Sequence, residues 1–240
     1  MNISERIISM LNKYDFKNID EKKVNQISDY ITLILKYNSL LKLTSDINVD
    51  KLIERHIIDS LHLLKIDTIS QCETILDIGS GAGFPGIPLA IISKKKVLLI
   101  ESNEKKSFFL NIIKNNLKLD NISVINNRCE NLAHNSEYRE KFDCVITRAL
   151  ANFEIAMEVS FPFTKIDGYI FYFASKNTLK MIERNFNNIR IFGCNDYNIF
   201  DYRINNILFY IFYVRKMWKT PDEYPRNYKK LGKTHSWVLL

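Results

Sequence analysis

Four of the seven glycines in this 240-residue chain lie within eight residues: Gly79, Gly81, Gly83 and Gly86. An apolar run at residues 75–78 precedes them, as in a buried parallel strand, and an apolar helical run starts at about Gly86. Glycine permits positive φ and lets a ligand approach the backbone closely. A strand, a glycine turn and a helix start predict a cofactor site at the carboxyl end of a sheet strand.

The glycine spacing fits two kinds of cofactor. From Gly81 to Gly86 it matches G-x-G-x-x-G, the dinucleotide fingerprint, but the first glycine of that fingerprint directly follows the strand, and here that residue is Gly79. Read from Gly79, the spacing is G-x-G-x-G with Asp77 before it, which resembles the first motif of the class I methyltransferases. Those enzymes bind S-adenosylmethionine, which has an amino-acid end, a ribose and an adenine but no pyrophosphate. This register favours S-adenosylmethionine.

Two acids follow the next two predicted strands. Glu101 ends the apolar run at residues 97–100, where a carboxylate can accept hydrogen bonds from ribose hydroxyls; the alternative is a solvated strand-end acid. Glu130 comes shortly after the strand at residues 122–125, in the loop that flanks the adenine in this fold. Its alternative role is that of an acid at a helix start, favoured by the helix dipole.

Composition restricts the class of protein and its partners. The net charge of +7 and pI near 9.1 suggest a polyanionic partner, most simply nucleic acid. No apolar run is long enough to span a bilayer, and the first residues lack the basic-then-apolar order of a signal peptide. The four cysteines are scattered, which argues against a zinc site. We therefore expect no metal and a cytoplasmic protein.

The pattern of elements predicts an α/β fold with a Rossmann-like sheet, helices on both of its faces and an N-terminal helical extension. Residues 3–66 contain no Gly or Pro and carry an apolar helical face, with Asp20 as an N-cap and a third helix over about 50–65. Strands are expected at residues 75–78, 97–100, 122–125, 142–147, 169–173, 189–192 and 207–214. The expected domains are an extension (1–66), a methyltransferase domain (67–215) and a basic aromatic tail (216–240).

The residues after the fourth predicted strand restrict the chemistry. Methylation of an exocyclic amine uses an Asn/Asp-Pro-Pro-aromatic loop there, whereas this chain has Thr147-Arg148-Ala149-Leu150. Methylation of pyrimidine carbon 5 needs a thiolate, and Cys144 lies inside a strand. What remains is an acceptor that needs little activation. Guanine N7 is one example, because its free lone pair needs orientation and no general base. Arg148 is the candidate for orienting guanine O6, with cofactor contact as its other possible role.

Motifs along most of the chain carry a family resemblance. They are Glu54-Arg55-His56-Ile-Ile-Asp59-Ser60-Leu61, Leu76-Asp77-Ile-Gly79-Ser80-Gly81-Ala82-Gly83-Phe84-Pro85-Gly86-Ile-Pro88-Leu-Ala90, Glu101-Ser102 with Lys105-Lys106, Arg128-Cys129-Glu130, Phe142-Asp143-x-Val145-x-x-Arg148-Ala149-x-Ala151, and Tyr224-Pro225-Arg226. They resemble the small-subunit ribosomal RNA guanine-N7 methyltransferases, also called the glucose-inhibited division protein B family. The resemblance implies methyl transfer from S-adenosylmethionine to N7 of one guanine in 16S ribosomal RNA.

The resemblance and the glycine pattern together give a set of candidate site residues. The expected cofactor contacts are Gly79, Gly81, Phe84, Glu101, Cys129, Glu130 and Arg148. The candidates for contact with RNA are Arg55, His56, Lys176 and Arg226, although a lone histidine such as His56 is more often structural. The tail interleaves basic residues with Trp218, Tyr224, Tyr228 and Trp237, which suits phosphate contact and base stacking.

The expected partner is small-subunit ribosomal RNA or the 30S particle, and the enzyme is expected to be a monomer. Three alternatives remain open at this point. They are a methyltransferase of another RNA or of a small molecule or protein, an RNA-binding module that has lost catalysis, and a nicotinamide oxidoreductase. The glycine register argues against the last of these.

Overall fold

A computed structural model describes residues 1–150 and 152–227 of the chain. Ala151, Tyr228 and Trp237, which belong to the motif and tail described above, lie outside the described residues. The chain divides into two compact units, Met1–Asn126 and Asn127–Leu240. The N-terminal helices therefore share a unit with the first three strands, and the domain boundaries expected after residues 66 and 215 stay predictions.

The N-terminal residues are helical, as predicted. The helices are α1 (Ile3–Lys13), α2 (Glu21–Leu41), α3 (Val49–Leu52), a π-helical turn (Ile53–Ile58), α4 (Asp59–Leu61), a 3-10 turn (His62–Lys65) and α5 (Asp67–Ser70). Asn2 and Glu5 form a capping box on α1, and the Asp20 carboxylate accepts the Lys23 N–H at 2.9 Å at the start of α2. The predicted third helix is present, but its hydrogen-bonding type changes along its length.

The first unit contains three parallel strands, and they lie where the apolar runs predict them. They are β1 (Thr74–Ile78), β2 (Lys96–Glu101) and β3 (Ile122–Asn126), with β2 in the middle. Helix α6 (Gly86–Ser93) follows β1, and α7 (Glu104–Asn116) follows β2. Ile78 pairs with Ile100 at the carboxyl ends of β1 and β2. The glycine turn and Glu101 therefore leave the sheet at the same edge.

The described part of the second unit contains four strands in the order β4-β5-β7-β6. Their bounds are β4 (Phe142–Thr147), β5 (Thr164–Ala174), β6 (Asn198–Ile204) and β7 (Ile207–Arg215), and the helices are α8 (Cys129–Leu132), α9 (Phe153–Ser160) and α10 (Lys176–Ile189). Strands β4 and β5 are parallel, whereas β7 is antiparallel to both of its neighbours. None of the helices in the described residues is long and apolar enough to cross a bilayer.

The sixth strand was predicted in the wrong place. Residues 189–192 end α10 and form a 3-10 turn, and β6 is instead Asn198–Ile204. Buried Ile189 and Phe192 are three residues apart, which places them on one face of a helix but on opposite faces of a strand. Strand β6 contains Ile199, Phe200, Tyr202 and Ile204, residue types that favour strands, and it pairs with β7 along its whole length.

Hydrogen bonds from Lys216 and Arg139 hold the segment that follows β7 in place. Lys216 is fully buried, and its Nζ donates to Glu140 Oε1 at 2.7 Å and to the carbonyls of Phe161 and Thr164 at 2.9 Å. The Arg139 guanidinium donates to carbonyls within this segment, including that of Tyr224 at 2.9 Å, and to the Ala133 carbonyl at 3.0 Å. Burial lowers the pKa of Lys216, while the hydrogen bond to Glu140 opposes that shift.

His62 is buried between helical segments of the first unit. Its Nδ1 lies 2.8 Å from the Ile58 carbonyl oxygen, which makes Nδ1 the protonated nitrogen of the neutral ring. The rings of Tyr14 and Phe16 make edge contacts with it. Burial lowers the pKa of His62 from 6.5 to about 4, so the folded chain carries this histidine uncharged at neutral pH.

We expect His62 to make stability fall as the pH is lowered from about 6.5 to about 4. In that window the unfolded chain binds a proton at this position and the folded chain does not, so acid favours unfolding by up to roughly 3 kcal/mol. Urea unfolding at several pH values measures the effect. The variant His62→Phe should lose this part of the pH dependence. If its unfolding free energy fell with pH as steeply as that of the wild type, His62 would not be the group responsible.

Candidate active site

The loop between β1 and α6 has the backbone that the glycine pattern predicts. Gly79, Gly81 and Gly83 have φ of +73°, +58° and +107°, which other residues rarely adopt. The N–H groups of Gly79 and Ser80 both donate to the Ile100 carbonyl, at 2.9 and 3.2 Å. The loop is therefore folded back onto the carboxyl end of β2.

A buried carboxylate holds the far end of this loop. Asp77 is 1% exposed, and its Oδ2 accepts the N–H of Gly86, the first residue of α6, at 2.9 Å. A Cβ added at Gly86 would lie 2.7 Å from that oxygen, so glycine is required for the approach. The N-terminus of α6 thus already faces a protein anion, at the place where dinucleotide-binding folds hold a pyrophosphate. This geometry supports the register that starts at Gly79.

Glu101 lies beside the loop, as the sequence predicts. Its Oε2 accepts the Gly81 N–H at 2.8 Å, and its Oε1 accepts the Asn103 N–H at 2.7 Å. The residue is 7% exposed, so the carboxylate is not the solvated strand-end acid of the alternative interpretation. Each carboxylate oxygen has a second acceptor position, so Glu101 can hold the loop and still accept a hydroxyl hydrogen bond from a ligand.

Phe84, a predicted cofactor contact, is packed between two aromatic rings. Tyr30 of α2 lies on one side with its centroid at 5.3 Å, and His56 of the π-helical turn is stacked on it at 4.6 Å and 22°. Phe84 itself is 8% exposed. Tyr30 also donates its hydroxyl to the Ala82 carbonyl at 2.8 Å. The sequence reasoning missed Tyr30, whose only signal was its place on the buried face of α2.

Cys129 and Glu130 lie together at the start of α8 in the second unit. The Cys129 thiol donates to Glu130 Oε2 at 3.3 Å. Burial and the neighbouring Glu130 raise the pKa of Cys129, so the group is a neutral thiol rather than a nucleophile. Arg148 follows β4, and its guanidinium carbon lies 5.7 Å from the centre of the Phe173 ring. The cofactor roles of these three residues stay predictions.

The four candidates for RNA contact differ in how they are held. Lys176 and Arg55 are exposed, and an Arg55 guanidinium nitrogen lies 3.8 Å from the Asp46 carboxylate. His56 is mostly buried against Phe84. Arg226 binds the fully buried Glu158, with Nη2 at 2.7 Å from Oε2 and Nε at 2.9 Å from Oε1. Contact of these residues with RNA stays a prediction, and for His56 and Arg226 the structure shows a second role.

No group of three or more His, Cys, Asp or Glu side chains that could hold a metal ion occurs among residues 1–150 and 152–227.

We expect the ion pair of Glu158 and Arg226 to stabilise the second unit. Replacing Glu158 by Gln leaves a charged guanidinium beside a neutral amide in a buried setting, which should lower the unfolding free energy by about 3–5 kcal/mol. Denaturant unfolding measures the loss. Asp222→Asn, which removes an exposed carboxylate that pairs with Lys219 and lies 3.7 Å from Arg139, should leave stability nearly unchanged. Equal effects of the two changes would contradict the anchoring role.

Alanine substitutions at Gly81 and Gly83 should differ in their stability cost, because the two positions leave different amounts of room for an added Cβ. A Cβ at Gly81 would have only the Gly79 carbonyl oxygen near it, at 3.9 Å, so Gly81→Ala should cost only the left-handed backbone strain of about 1–2 kcal/mol. A Cβ at Gly83 would lie 2.5 Å from Ile87 Cγ1 and 2.8 Å from Tyr30 Oη. Gly83→Ala should therefore cost about 1–3 kcal/mol more, by overpacking. Urea unfolding of both variants tests the difference, and an equal loss would contradict the packing seen here.

Two solved structures show the same fold. The O-methyltransferase from Bacillus cereus in complex with SAH aligns with a TM-score of 0.58 and 17% identity, over 78% of this chain and 91% of that one. A putative O-methyltransferase from Klebsiella pneumoniae aligns with a TM-score of 0.56 and 11% identity, over 88% and 95%. At these identities the likeness concerns the fold, and it confirms the predicted class I methyltransferase fold.

Sequence relatives are closer. A ribosomal RNA small subunit methyltransferase G from Clostridium tetani is 32% identical over 211 residues, covering 87% of this chain and 88% of the relative. A protein of the same name from Lachnoclostridium phytofermentans is 37% identical over 167 residues, covering 69% of each. The model of the GidB family, described as rRNA small subunit methyltransferase G, matches residues 23–205. With that match and those identities, the chain belongs to the rRNA small subunit methyltransferase G (GidB) family.

Proposed function

We propose that this chain transfers the methyl group of S-adenosylmethionine to N7 of a guanine in 16S ribosomal RNA. Membership of the rRNA small subunit methyltransferase G family supports the reaction and the RNA substrate. The observation that carries the choice of cofactor is the bond between Asp77 and Gly86. A diphosphate at the start of α6 would meet this buried negative charge, whereas the methyl donor brings no phosphate.

The residues of the first unit fit the amino-acid and ribose portions of the donor. Glu101 is proposed to accept hydrogen bonds from the ribose hydroxyls, because the Gly81 and Asn103 N–H groups already fix its carboxylate beside the loop. The backbone at Gly81 has open space where a side chain would be, so a ligand can lie directly against it. Phe84 contributes by holding the loop in shape. Gly79 supplies the first turn of that loop.

The sequence candidates that remain, Cys129, Glu130 and Arg148, are proposed to contact the adenine and the acceptor. Cys129 and Glu130 follow the third strand, in the part of the chain that flanks the base in this fold. When bound, S-adenosylmethionine supplies an electrophilic methyl group on a positively charged sulfur. Arg148 is proposed to orient guanine by donating to its O6, and the contact with Phe173 directs its guanidinium.

The acceptor nitrogen explains why this chain needs little acid–base machinery. Guanine N7 has a free lone pair in the neutral base, so alignment of donor and acceptor is the main requirement and can lower the barrier by about 7–11 kcal/mol. Burial raises the pKa of Cys194 to about 12, and that of Cys129 is also raised, so neither provides a thiolate at neutral pH. These thiols do not support a mechanism with a covalent cysteine intermediate.

The RNA partner is supported by charge as well as by the family. The net charge of +7 favours a polyanion, and Lys176 and Arg55 present exposed cations in the described residues. The proposed substrate is small-subunit RNA, either naked or within the 30S particle, and its place of assembly implies action in the bacterial cytoplasm. A monomer is sufficient for this proposal.

The decisive experiment is transfer of labelled methyl from S-adenosylmethionine to 16S ribosomal RNA and to 30S particles from cells that lack this enzyme. We expect label at N7 of a single guanine, located by mass mapping. Arg148→Ala should reduce turnover by at least about 100-fold through lost orientation, with the fold retained. Arg215→Ala, which removes an exposed arginine paired with Asp167, is the matched control and should keep activity.

Other outcomes of the same assay would identify other functions. Label in free guanosine or in protein, with none in ribosomal RNA, would contradict the substrate. RNA binding without affinity for the methyl donor would indicate a binding module that has lost catalysis. Binding of NADH in place of the donor would contradict the interpretation of Asp77.

A further inference from the structure

Two aromatic side chains of the helical extension pack against Phe84, the aromatic residue of the glycine loop. His56 lies flat on Phe84, and Tyr30 packs on Phe84 at 50°. Tyr30 is fully buried and also binds the Ala82 carbonyl. Because glycines have no side chains with which to hold a loop, the loop depends on its one aromatic residue and on what packs against that residue.

His56 is itself held in place by a chain of hydrogen bonds that starts in α2. Asn38 donates to the Thr44 carbonyl and accepts its N–H, each at 2.9 Å. The Thr44 hydroxyl accepts the N–H of Asp46 at 3.1 Å. The Asp46 carboxylate Oδ2 lies 3.0 Å from His56 Nε2. The imidazole therefore has a fixed direction, with its plane against Phe84 and Nε2 towards Asp46.

The backbone at His56 adds to this arrangement. Residues Ile53–Ile58 form a π-helical turn within an otherwise α-helical and 3-10 stretch. A π-helical turn inserts an extra residue and rotates the side chains that follow, and such turns are frequent at functional sites. His56 lies inside this turn, and only 17% of its side chain is exposed. Its ring is therefore directed mainly to the loop and little to solvent.

We propose that His56 is a positioning residue for methyl transfer, holding Phe84 and with it the glycine loop in the shape that receives the cofactor. This role rests on the proposed function, since it requires that the loop bind S-adenosylmethionine. It differs from the RNA contact predicted for His56 from the sequence. Asp46 acts one step further away by holding the imidazole.

Three substitutions of His56 distinguish the contribution of its ring stack on Phe84 from that of its hydrogen bond to Asp46. His56→Phe keeps a flat ring against Phe84, His56→Gln keeps a hydrogen-bonding group towards Asp46, and His56→Leu keeps neither. The affinity for S-adenosylhomocysteine is measured by calorimetry, and KM for 30S particles is measured at saturating cofactor. We expect Gln and Leu to raise the cofactor Kd about 3- to 10-fold, as expected for a lost ring stack, and Phe to restore most of the affinity. KM for the particle should not change.

Controls separate positioning from a general loss of stability. Ile7→Val removes a buried methyl group from α1 in the same extension and should leave the cofactor Kd unchanged while the protein is folded. If the substitutions at His56 prevent folding, Asp46→Leu tests the same contact with His56 retained. It leaves the buried imidazole N–H without its carboxylate acceptor, which a phenyl ring would not need, and should therefore raise the cofactor Kd. Unfolding temperature is recorded for every variant.

The results that would overturn the proposal are distinct from a failure of the proposed function. Unchanged cofactor affinity in both His56→Leu and His56→Gln would remove His56 from the positioning role. An increase of KM for the 30S particle with unchanged cofactor Kd would make His56 an RNA contact. If the wild-type chain bound S-adenosylhomocysteine but did not methylate ribosomal RNA, only the proposed substrate would fail. A wild-type chain that bound no S-adenosylhomocysteine would overturn both.

Discussion

Two buried carboxylates hold the glycine loop on which the first unit depends. Asp77 binds the N–H of Gly86 at the end of the loop, and Glu101 binds the N–H of Gly81 in its middle. Three of the seven loop residues, 79–85, are glycines, and neighbouring groups satisfy several of the loop's backbone donors. The carboxylates need those donors equally, because a buried carboxylate without hydrogen bonds is strongly destabilising. Loop conformation and carboxylate burial therefore support one another.

The helical extension completes this arrangement. Tyr30 and His56 pack on Phe84, which explains why the N-terminal helices and the first three strands form one compact unit. An extension that only carried RNA-binding residues would have no need to contact the loop. The extension thus has a structural part in the proposed cofactor site.

Several Lys and Arg side chains of the second unit bind acceptors within the fold. Lys216 is buried with acceptors for its donors, Arg139 binds carbonyls of the segment after β7, and Arg226 binds Glu158. These residues count towards the positive charge that suggests a nucleic-acid partner, yet their charge is used within the fold. The net charge therefore predicts the class of partner without showing which cations contact it.

The prediction from sequence succeeded where local pattern and local geometry coincide. The strand, the glycine spacing and the acid at the end of the next strand predicted the positions of β1, the loop and Glu101, because parallel neighbours bring their carboxyl ends to one edge. The same reasoning failed for β6, because the apolar residues at 189–192 belong to the end of a helix, whereas Asn198–Ile204 has the strand-favouring residues and the partner strand. Pairing with β7 decided that strand.

The sequence by itself determined the fold class, the family and the place of the glycine loop, because these depend on residue types at fixed short spacing. Only the tertiary structure showed that Asp77 caps α6, that His56 is stacked on Phe84 and that Arg226 is bound to a buried Glu158. The last two contacts join residues far apart in the chain, and a side chain's partner at long range is set by packing. A pattern along the chain therefore identifies which residues can do chemistry, and the packing around them decides which are used to hold the site.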